Sequence, residues 1–220
     1  MSNLELLLKL LPEAIADTLW MTAASSFFAF LFGLPLALLL YTTSPGNLFQ
    51  NIWINRPAST IVDSLRAIPF IILAASIMPI TRMVVGKAIG NEAMIFVLSI
   101  SAIPFYARMA ELSFRNVDKN LIDAVRAMGA TRFQAIREVA IPEALSSLIT
   151  GFTVTVIAIV AASAMAGFVG GNGLGKLAIS YGYQRYNLAI MVAVIVALIL
   201  LNIAIQWFGD HMARKTNHQK

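Results

Sequence analysis

The sequence contains no cysteine, and only 12% of its 220 residues are charged, against about 25% in an ordinary soluble domain. Without cysteine, disulfides, thiolate catalysis and cysteine-based metal sites are excluded. The two histidines, His211 and His218, lie in the polar C-terminal tail with no other metal ligands nearby, so we expect them to be solvated. The sequence therefore predicts no metal site.

Apolar residues make up 59% of the chain, too many to bury in one water-soluble core. This composition indicates an integral membrane protein, and the net charge of +5 is then a signal of topology rather than of nucleic-acid binding. We predict a single all-α transmembrane domain over residues 1–220. Five segments are long enough to cross a bilayer: 18–41, 57–80, 92–108, 142–166 and 186–209.

Charges mark two of these segments, and prolines lie within three of them. Asp63 and Arg66 are three residues apart and are predicted to pair near the inner face, whereas Glu92 and Arg108 are expected to reach the membrane interface. Four prolines lie inside or at the edges of the spans, and they fit either kinked helices around a transport pathway or plain irregular packing. They are Pro35, Pro69, Pro79 and Pro104.

The first 17 residues do not make a convincing signal peptide, because charged residues interrupt the apolar run. We expect either a short amphipathic helix on the membrane surface that ends near Pro12, or a frayed terminus. The charges are Glu5, Lys9, Glu13 and Asp17.

Lysine and arginine are distributed unequally between the two sides that five spans would create. One side, including the loop 109–141 and the C-terminal tail, collects Arg56, Arg66, Arg108, Arg115, Lys119, Arg126, Arg132, Arg137, Arg214, Lys215 and Lys220. The other side collects Lys9, Arg82, Lys87, Lys176 and Arg185. The excess predicts that the first side is cytoplasmic and that the N-terminus lies outside.

The stretch FVGGNGLGKLA at 168–178 has most of a phosphate-binding pattern, with Gly170, Gly175 and Lys176 in the required spacing. The hydroxyl residue that should follow the lysine is replaced by Leu177, and no strand precedes the stretch. We therefore expect no nucleotide site here, and we expect the glycines to form a sharp turn outside the fourth span.

The cytoplasmic loop carries signals for two short helices. Asn120 is predicted to cap a helix over Leu121–Met128, with Asp123 in a capping-box position, and Gly129 is placed to end it. Thr131 and Gln134 are predicted to cap a second helix that runs to about Ala140, after which Pro142 begins the fourth span. The first helix is too short to be stable alone, so we expect it to pack on the protein's own helix ends or in a partner's groove.

The run DAVRAMGA…VAIP resembles the EAA loop of ATP-binding-cassette importer permeases, with Asp123, Ala124 and Gly129 in the matching positions. It departs from that pattern in having Asp for Glu, Val125 for a small residue and Ile141 for Leu. Further runs resemble the five-span methionine-uptake permeases. They are LRAIPFIIL, PITRMVVGKAIG, AIPFYARMAE, SAMAGFVGGNGLGKLAISYGY and QWFGDHMARK.

The resemblance implies a non-catalytic permease subunit of an ATP-driven importer of L- and D-methionine in the bacterial inner membrane. Its implied partners are a second copy of the chain, two cytoplasmic ATPase subunits that bind ATP and Mg²⁺, an extracytoplasmic substrate-binding protein and membrane lipid, with no nucleic acid. The residues expected to dock on the ATPase are Leu121, Asp123, Ala124, Val125, Arg126, Ala127, Met128, Gly129, Ala130 and Thr131.

Met165 and Ser163, at the outer end of the fourth span, are expected to line the substrate path, with ordinary helix packing as the alternative. Three other interpretations stay open: a permease for another amino acid or an osmolyte, an ion-coupled transporter or channel, and an assembly subunit without a path. An ion-coupled transporter needs charges in mid-membrane, and spans one, four and five contain none.

Overall fold

The computed structural model describes residues 3–216, and within them the chain consists of helices and turns. The side chain of Glu5 and the predicted tail residues His218 and Lys220 lie outside what it describes. The long helices are α1 (Asn3–Thr43), α2 (Ile52–Ala67), α3 (Phe70–Val85), α4 (Asn91–Arg115), α7 (Ile141–Ala166) and α9 (Leu188–Thr216). The short ones are α5 (Lys119–Ala127), α6 (Arg132–Gln134) and α8 (Gly173–Leu177).

Helix α1 is continuous over 41 residues, so the predicted end near Pro12 was wrong. At 1.5 Å per residue it is about 60 Å long and exceeds the apolar thickness of a bilayer. Its first turns do not form a separate helix, and Leu7, Leu11 and Ala14 pack against the apolar cluster formed by α8 and α9. Apolar burial there holds the helix together across the missing N–H of Pro12.

The predicted second span is two helices, α2 and α3, which meet at an angle of 109°. The break is at Ile68 and Pro69, because the residue before a proline is driven out of the helical region, and Ile68 is extended with ψ 122°. Of the four prolines noted above, Pro35, Pro79 and Pro104 lie inside continuous helices. Proline 69 alone among them coincides with a break.

Helices α2 and α3 together connect the two ends of the bundle. Asn55 in α2 donates to the carbonyl of Leu40, 2.7 Å away, at the C-terminal end of α1. Beyond α3, the N–H of Gly90 donates to the carbonyl of Gly170, 2.9 Å away, at the opposite end. Within residues 3–216, four helices are long and apolar enough to cross a membrane, and the number becomes five if the bent pair α2–α3 is counted as one broken span.

Helix α4 lies at the centre of the bundle, between α1 and α7. Gly33 allows α1 to approach it closely, because a Cβ at that position would lie 3.0 Å from the ring of Tyr106 and 3.1 Å from the carbonyl oxygen of Ile103. Tyr106 and Phe114 are fully buried in the core at this contact.

The last two spans lie close to their predicted bounds. Helix α7 ends at Ala166 as predicted, and α9 begins slightly later than predicted and continues past Gly209 to Thr216. The glycine-rich segment forms the predicted sharp turn, with φ +96° at Gly170 and +84° at Gly173. His211 is not in a loose tail, because it stacks on Trp207 within α9 at a ring separation of 5.8 Å.

Candidate functional site

Helix α5 lies at the end of the bundle opposite the glycine-rich turn and projects from the end of α4. It spans Lys119–Ala127, so it begins two residues and ends one residue earlier than predicted. Its cap is Asp118, whose carboxylate accepts from the N–H of Asn120 at 2.9 Å, so the predicted cap at Asn120 was wrong. The carboxylate of Asp118 is also suitably placed for the positive end of the helix dipole.

The C-terminal end of α5 is closed by the backbone pattern of a Schellman motif. The N–H of Ala130 donates to the carbonyl of Val125 at 3.1 Å, and the N–H of Gly129 donates to that of Arg126 at 3.0 Å. Gly129 has φ +93°, as predicted for a left-handed residue at this position. These bonds fix the end of a helix that is too short to be stable alone.

The predicted capping box at Thr131 is confirmed. The backbone N–H of Thr131 donates to the side chain of Gln134 at 2.8 Å, and the N–H of Gln134 donates back to the Thr131 hydroxyl at 3.3 Å. The helix that follows does not end near Ala140. A π-helical turn over Ala135–Ala140 joins α6 directly to α7, so Pro142 lies in the first turn of α7 without a preceding break.

The two faces of α5 have different environments. Ile122 is buried and Val125 is half-buried, and both pack on the core cluster that contains Phe114. The protein's own helix ends therefore support α5, which was one of the two alternatives. Sequence analysis missed Ile122 and placed Val125 with the docking residues, although the i, i+3 spacing of the two apolar side chains was visible.

The opposite face of α5 and the neighbouring turn is exposed and partly apolar. Met128 is 80% exposed, Phe133 67% and Leu121 43%, and they surround the small residues Ala124 and Ala127. A Cβ at Gly129 would meet nothing within 4 Å, so the surface is open there. We call this surface the α5 platform. The charged residues Asp123 and Arg126 at its edge are exposed and have no ion pair among the described residues.

The predicted docking residues thus divide into two groups. Most of them belong to the exposed platform or its edge: Leu121, Asp123, Ala124, Arg126, Ala127, Met128, Gly129 and Thr131. Val125 and Ala130 are half-buried and turn towards the protein itself. Phe133 belongs to the platform although it was not predicted. The platform is joined to the α1–α2 loop by Arg132, whose guanidinium lies 5.4 Å from the ring centre of Phe49.

An ion network lies at the same end of the bundle and joins α2 to α4. Arg108 donates from Nε to Asp63 at 3.1 Å, forms a second close contact with the same carboxylate, and donates to the hydroxyl of Ser59 at 3.0 Å. It also contacts Glu111 at 2.6 Å, and Arg115 contacts the other oxygen of Glu111 at 2.6 Å. Glu111 is 1% exposed, so both of its oxygens are paired inside the protein.

The predicted pair of Asp63 and Arg66 is present at 3.5 Å, but Arg108 is the closer partner of Asp63. The head of Arg108 is held between two carboxylates. Glu92 is exposed at the opposite end of the bundle and lies 3.6 Å from Lys87, and the location of both heads at the membrane interface stays a prediction. The contact between Arg108 and Asp63 spans 45 residues of sequence and leaves no local signal, so the link between α2 and α4 was not visible in the sequence.

The two residues expected to line a substrate path have different environments. Met165 is 49% exposed at the C-terminal end of α7. Ser163 is 2% exposed, and its hydroxyl donates to the carbonyl of Val160 on its own helix at 2.7 Å. The side chain of Met165 is therefore accessible from outside the protein, whereas that of Ser163 is buried and bonded to its own helix.

The phosphate-like stretch has no phosphate-binding geometry. Its lysine, Lys176, donates to the side chain of Asn172 at 2.8 Å. Gly167 and Gly175 allow α8 to pack closely on the end of α7. A Cβ on Gly167 would lie 2.5 Å from the backbone of Gly175, so α8 lies directly against the last turn of α7. No group of three or more residues suited to a metal ion was found within the described part of the chain.

Comparison with known proteins agrees with this architecture. Residues 29–218 match the family described as binding-protein-dependent transport system inner membrane component. The chain is 42% identical to the probable D-methionine transport system permease protein of Vibrio cholerae over 96% of this chain and 93% of that one. It is 46% identical to the D-methionine transport system permease protein of Escherichia coli K12 over 72% and 73% of the two chains.

Solved structures of ABC transporters also match the fold of this chain. A crystal structure of the MetNI methionine ABC transporter in an inward-facing conformation matches with a TM-score of 0.94 and 44% identity, over 99% of this chain and 100% of that one. An amino acid ABC transporter crystallised with histidines shares the fold at 20% identity with a TM-score of 0.77. The chain therefore belongs to the family of inner-membrane components of binding-protein-dependent transport systems.

Proposed function

We propose that this chain is the membrane permease of an ATP-driven methionine importer. The observation that carries the proposal is the likeness, over almost the whole chain, to a methionine ABC transporter. Relatives that cover at least 93% of both chains carry the name of a D-methionine transport permease, which supports methionine rather than another amino acid or an osmolyte as the substrate.

The α5 platform is the surface on which a cytoplasmic ATPase subunit would dock. It is rigid, because hydrogen bonds close both ends of α5 and the buried Ile122 anchors its inner face. Its exposed apolar residues, Leu121, Met128 and Phe133, fit a groove on a partner, and the small residues between them allow close approach. ATP and Mg²⁺ would bind to that partner and not to this chain.

Two copies of the chain would form the transport unit. A single chain of 220 residues with α4 packed at its centre is too small to enclose a path, so the path would lie between two copies related by a two-fold axis. Closure of the two ATPase subunits on ATP would bring the two platforms together. The bundles would then rock between inward-open and outward-open states, with Met165 near the outer mouth.

The positive charge at the α5 end supports a cytoplasmic location for that end. The glycine-rich turn and the first residues of α1 would then lie outside the inner membrane, where a substrate-binding protein could reach them. The lipid bilayer would cover the remaining apolar surface.

The function is tested by reconstitution. The chain is expressed with and without its ATPase partner, placed in liposomes that contain ATP, and supplied with labelled methionine and the purified binding protein. We expect uptake only when ATPase, ATP and binding protein are all present. Uptake without ATP would indicate an ion-coupled transporter or channel. Uptake of a different amino acid or an osmolyte in place of methionine would show that the proposed substrate is wrong. No uptake in any combination would indicate an assembly subunit.

A further inference from the structure

A cavity of about 370 Å³ lies at the end of the bundle opposite the α5 platform. One wall is the first third of α1 and the other is α8 with the turn that follows it. We call it the outer cavity. The residues that give it its chemistry are Glu13, Asp17, Asn172, Lys176, Ser180 and Tyr181.

The charges of the outer cavity are only partly paired. Asp17 accepts from the side chain of Asn91 at 2.7 Å, and Lys176 is held by Asn172. Glu13 is exposed and has no ion pair or hydrogen bond with another side chain of the described residues, although Lys9 lies one helical turn before it. Two carboxylates against one ammonium leave the lining with one negative charge.

The nearby cations Lys9 and Arg185 form no ion pair with either carboxylate among the described residues. The guanidinium of Arg185 lies 4.3 Å from the ring centre of Tyr181 and is not paired with either carboxylate. Glu13 and Asp17 are four residues apart on one helix, so their carboxylates face the same side. A guanidinium or ammonium group inserted from outside can contact both of them.

The walls of the outer cavity are held together by backbone contacts. The hydroxyl of Thr18 accepts from the N–H of Leu174 at 2.9 Å, and a Cβ on Gly173 would lie only 2.5 Å from that hydroxyl. On its other side α8 lies against the last turn of α7, where a Cβ on Gly175 would overlap the carbonyl of Ala164. The wall of the cavity that α8 forms therefore contacts the last turn of α7, which carries Met165.

We propose that the outer cavity receives a lysine or arginine side chain of the substrate-binding protein when that protein docks. The inference rests on the proposed function, in which this end of the bundle lies outside. The family depends on binding proteins for transport, the lining offers an unpaired carboxylate with a net negative charge, and α8 links the site to the outer end of α7. The docked cation thereby couples the binding protein to the outer mouth of the path.

The test measures docking directly. The complete complex of permease and ATPase is placed in lipid nanodiscs, and the dissociation constant of the purified, methionine-loaded binding protein is measured at low and high salt. We expect Glu13→Gln to weaken docking several-fold and Glu13→Lys to weaken it at least tenfold, with both effects smaller at high salt. The matched control, Glu92→Gln, removes a charge at the same end outside the cavity and should dock like the wild type.

A cross-link gives a second, independent readout. Since the chain has no native cysteine, a cysteine at Glu13 can be joined to a lysine of the docked binding protein by a reagent that reacts with thiol and amine. We expect mass spectrometry to locate the cross-link at one lysine of the binding protein. This lysine would be either the docked residue itself or a lysine close to a docked arginine. A cysteine at Glu92 should give little cross-linked product.

Three results would overturn the inference. Docking of Glu13→Lys with wild-type affinity would remove the cavity from the interface. Binding of free methionine, or of phosphatidylethanolamine vesicles, that depends on Glu13 in the absence of the binding protein would assign the cavity to a small molecule or a lipid headgroup. Failure of the binding protein to dock on the wild-type complex would instead overturn the proposed function, and this inference with it.

Discussion

Arg108 and Asp63 join two helices that are otherwise loosely packed together. The guanidinium of Arg108 in α4 bonds both oxygens of the Asp63 carboxylate in α2 and, through a further nitrogen, the buried Glu111. Helix α2 buries only Val62 among its residues, so it lacks an apolar face large enough to fix it on α4. The ion network therefore sets the position of α2 at the end that carries the α5 platform.

Substitutions in this network should destabilise the protein in a fixed order. Glu111→Gln removes the buried negative charge that faces Arg108 and Arg115 and should cost about 3 kcal/mol. Asp63→Asn should cost about 1 kcal/mol, because Asp63 is half-exposed, and Arg66→Gln should cost less. Thermal unfolding of the purified chain in detergent measures this order, and equal effects of all three variants would show that the network does not hold α2.

Substitution at Gly129 should separate backbone strain from loss of docking. Asparagine tolerates a positive φ better than most residues, so Gly129→Asn should adopt the φ of +93°. Gly129→Arg adds both backbone strain and bulk on the open platform. We expect the asparagine variant to transport at nearly the wild-type rate. The arginine variant should reach the membrane but lose methionine uptake and its stimulation of ATP hydrolysis.

A third variant, Ala124→Arg, adds the bulk without the strain, because Ala124 is an exposed residue within α5. It should behave like Gly129→Arg in uptake while unfolding at the wild-type temperature. Normal uptake by both arginine variants would remove the α5 platform from the ATPase interface.

The orientation of the chain can be measured by labelling single cysteines, since none is present to interfere. Ala127 on the α5 platform and Gln184 in the turn before α9 are both exposed. In intact cells a membrane-impermeant maleimide should label a cysteine at Gln184 but should label one at Ala127 only after lysis. The reverse pattern would invert the predicted topology.

Met165 is the predicted contact of the substrate at the outer mouth. Met165→Trp should reduce methionine uptake strongly, because it fills an exposed position at the end of α7, and should leave the amount of co-purified ATPase unchanged. Val154→Trp, at a comparably exposed position elsewhere on α7, serves as the control and should transport normally. Equal uptake by the two variants would move the path away from Met165.

Several features of the fold and the site were predictable because neighbouring residues determine them. The apolar runs predicted α1, α4, α7 and α9, since about 20 apolar residues suffice to cross a bilayer whatever their neighbours are. Gly129 and the pair of Thr131 and Gln134 predicted the helix ends around α5, since a cap forms within a few residues. Proline 69 was visible within the second span, although the sequence left a kink and ordinary packing as alternatives.

Other features depend on residues that are distant in the sequence. The continuity of α1 through Pro12 depends on packing against α8 and α9, the inward turn of Val125 depends on the core below α5, and the position of Arg108 depends on Asp63. The sequence by itself determined a helical membrane bundle with a capped helix on one side, because partition into lipid and helix capping are local free energies. Only the tertiary structure decided which faces are exposed and which charges pair, because burial and ion pairing are set by groups that folding alone brings together.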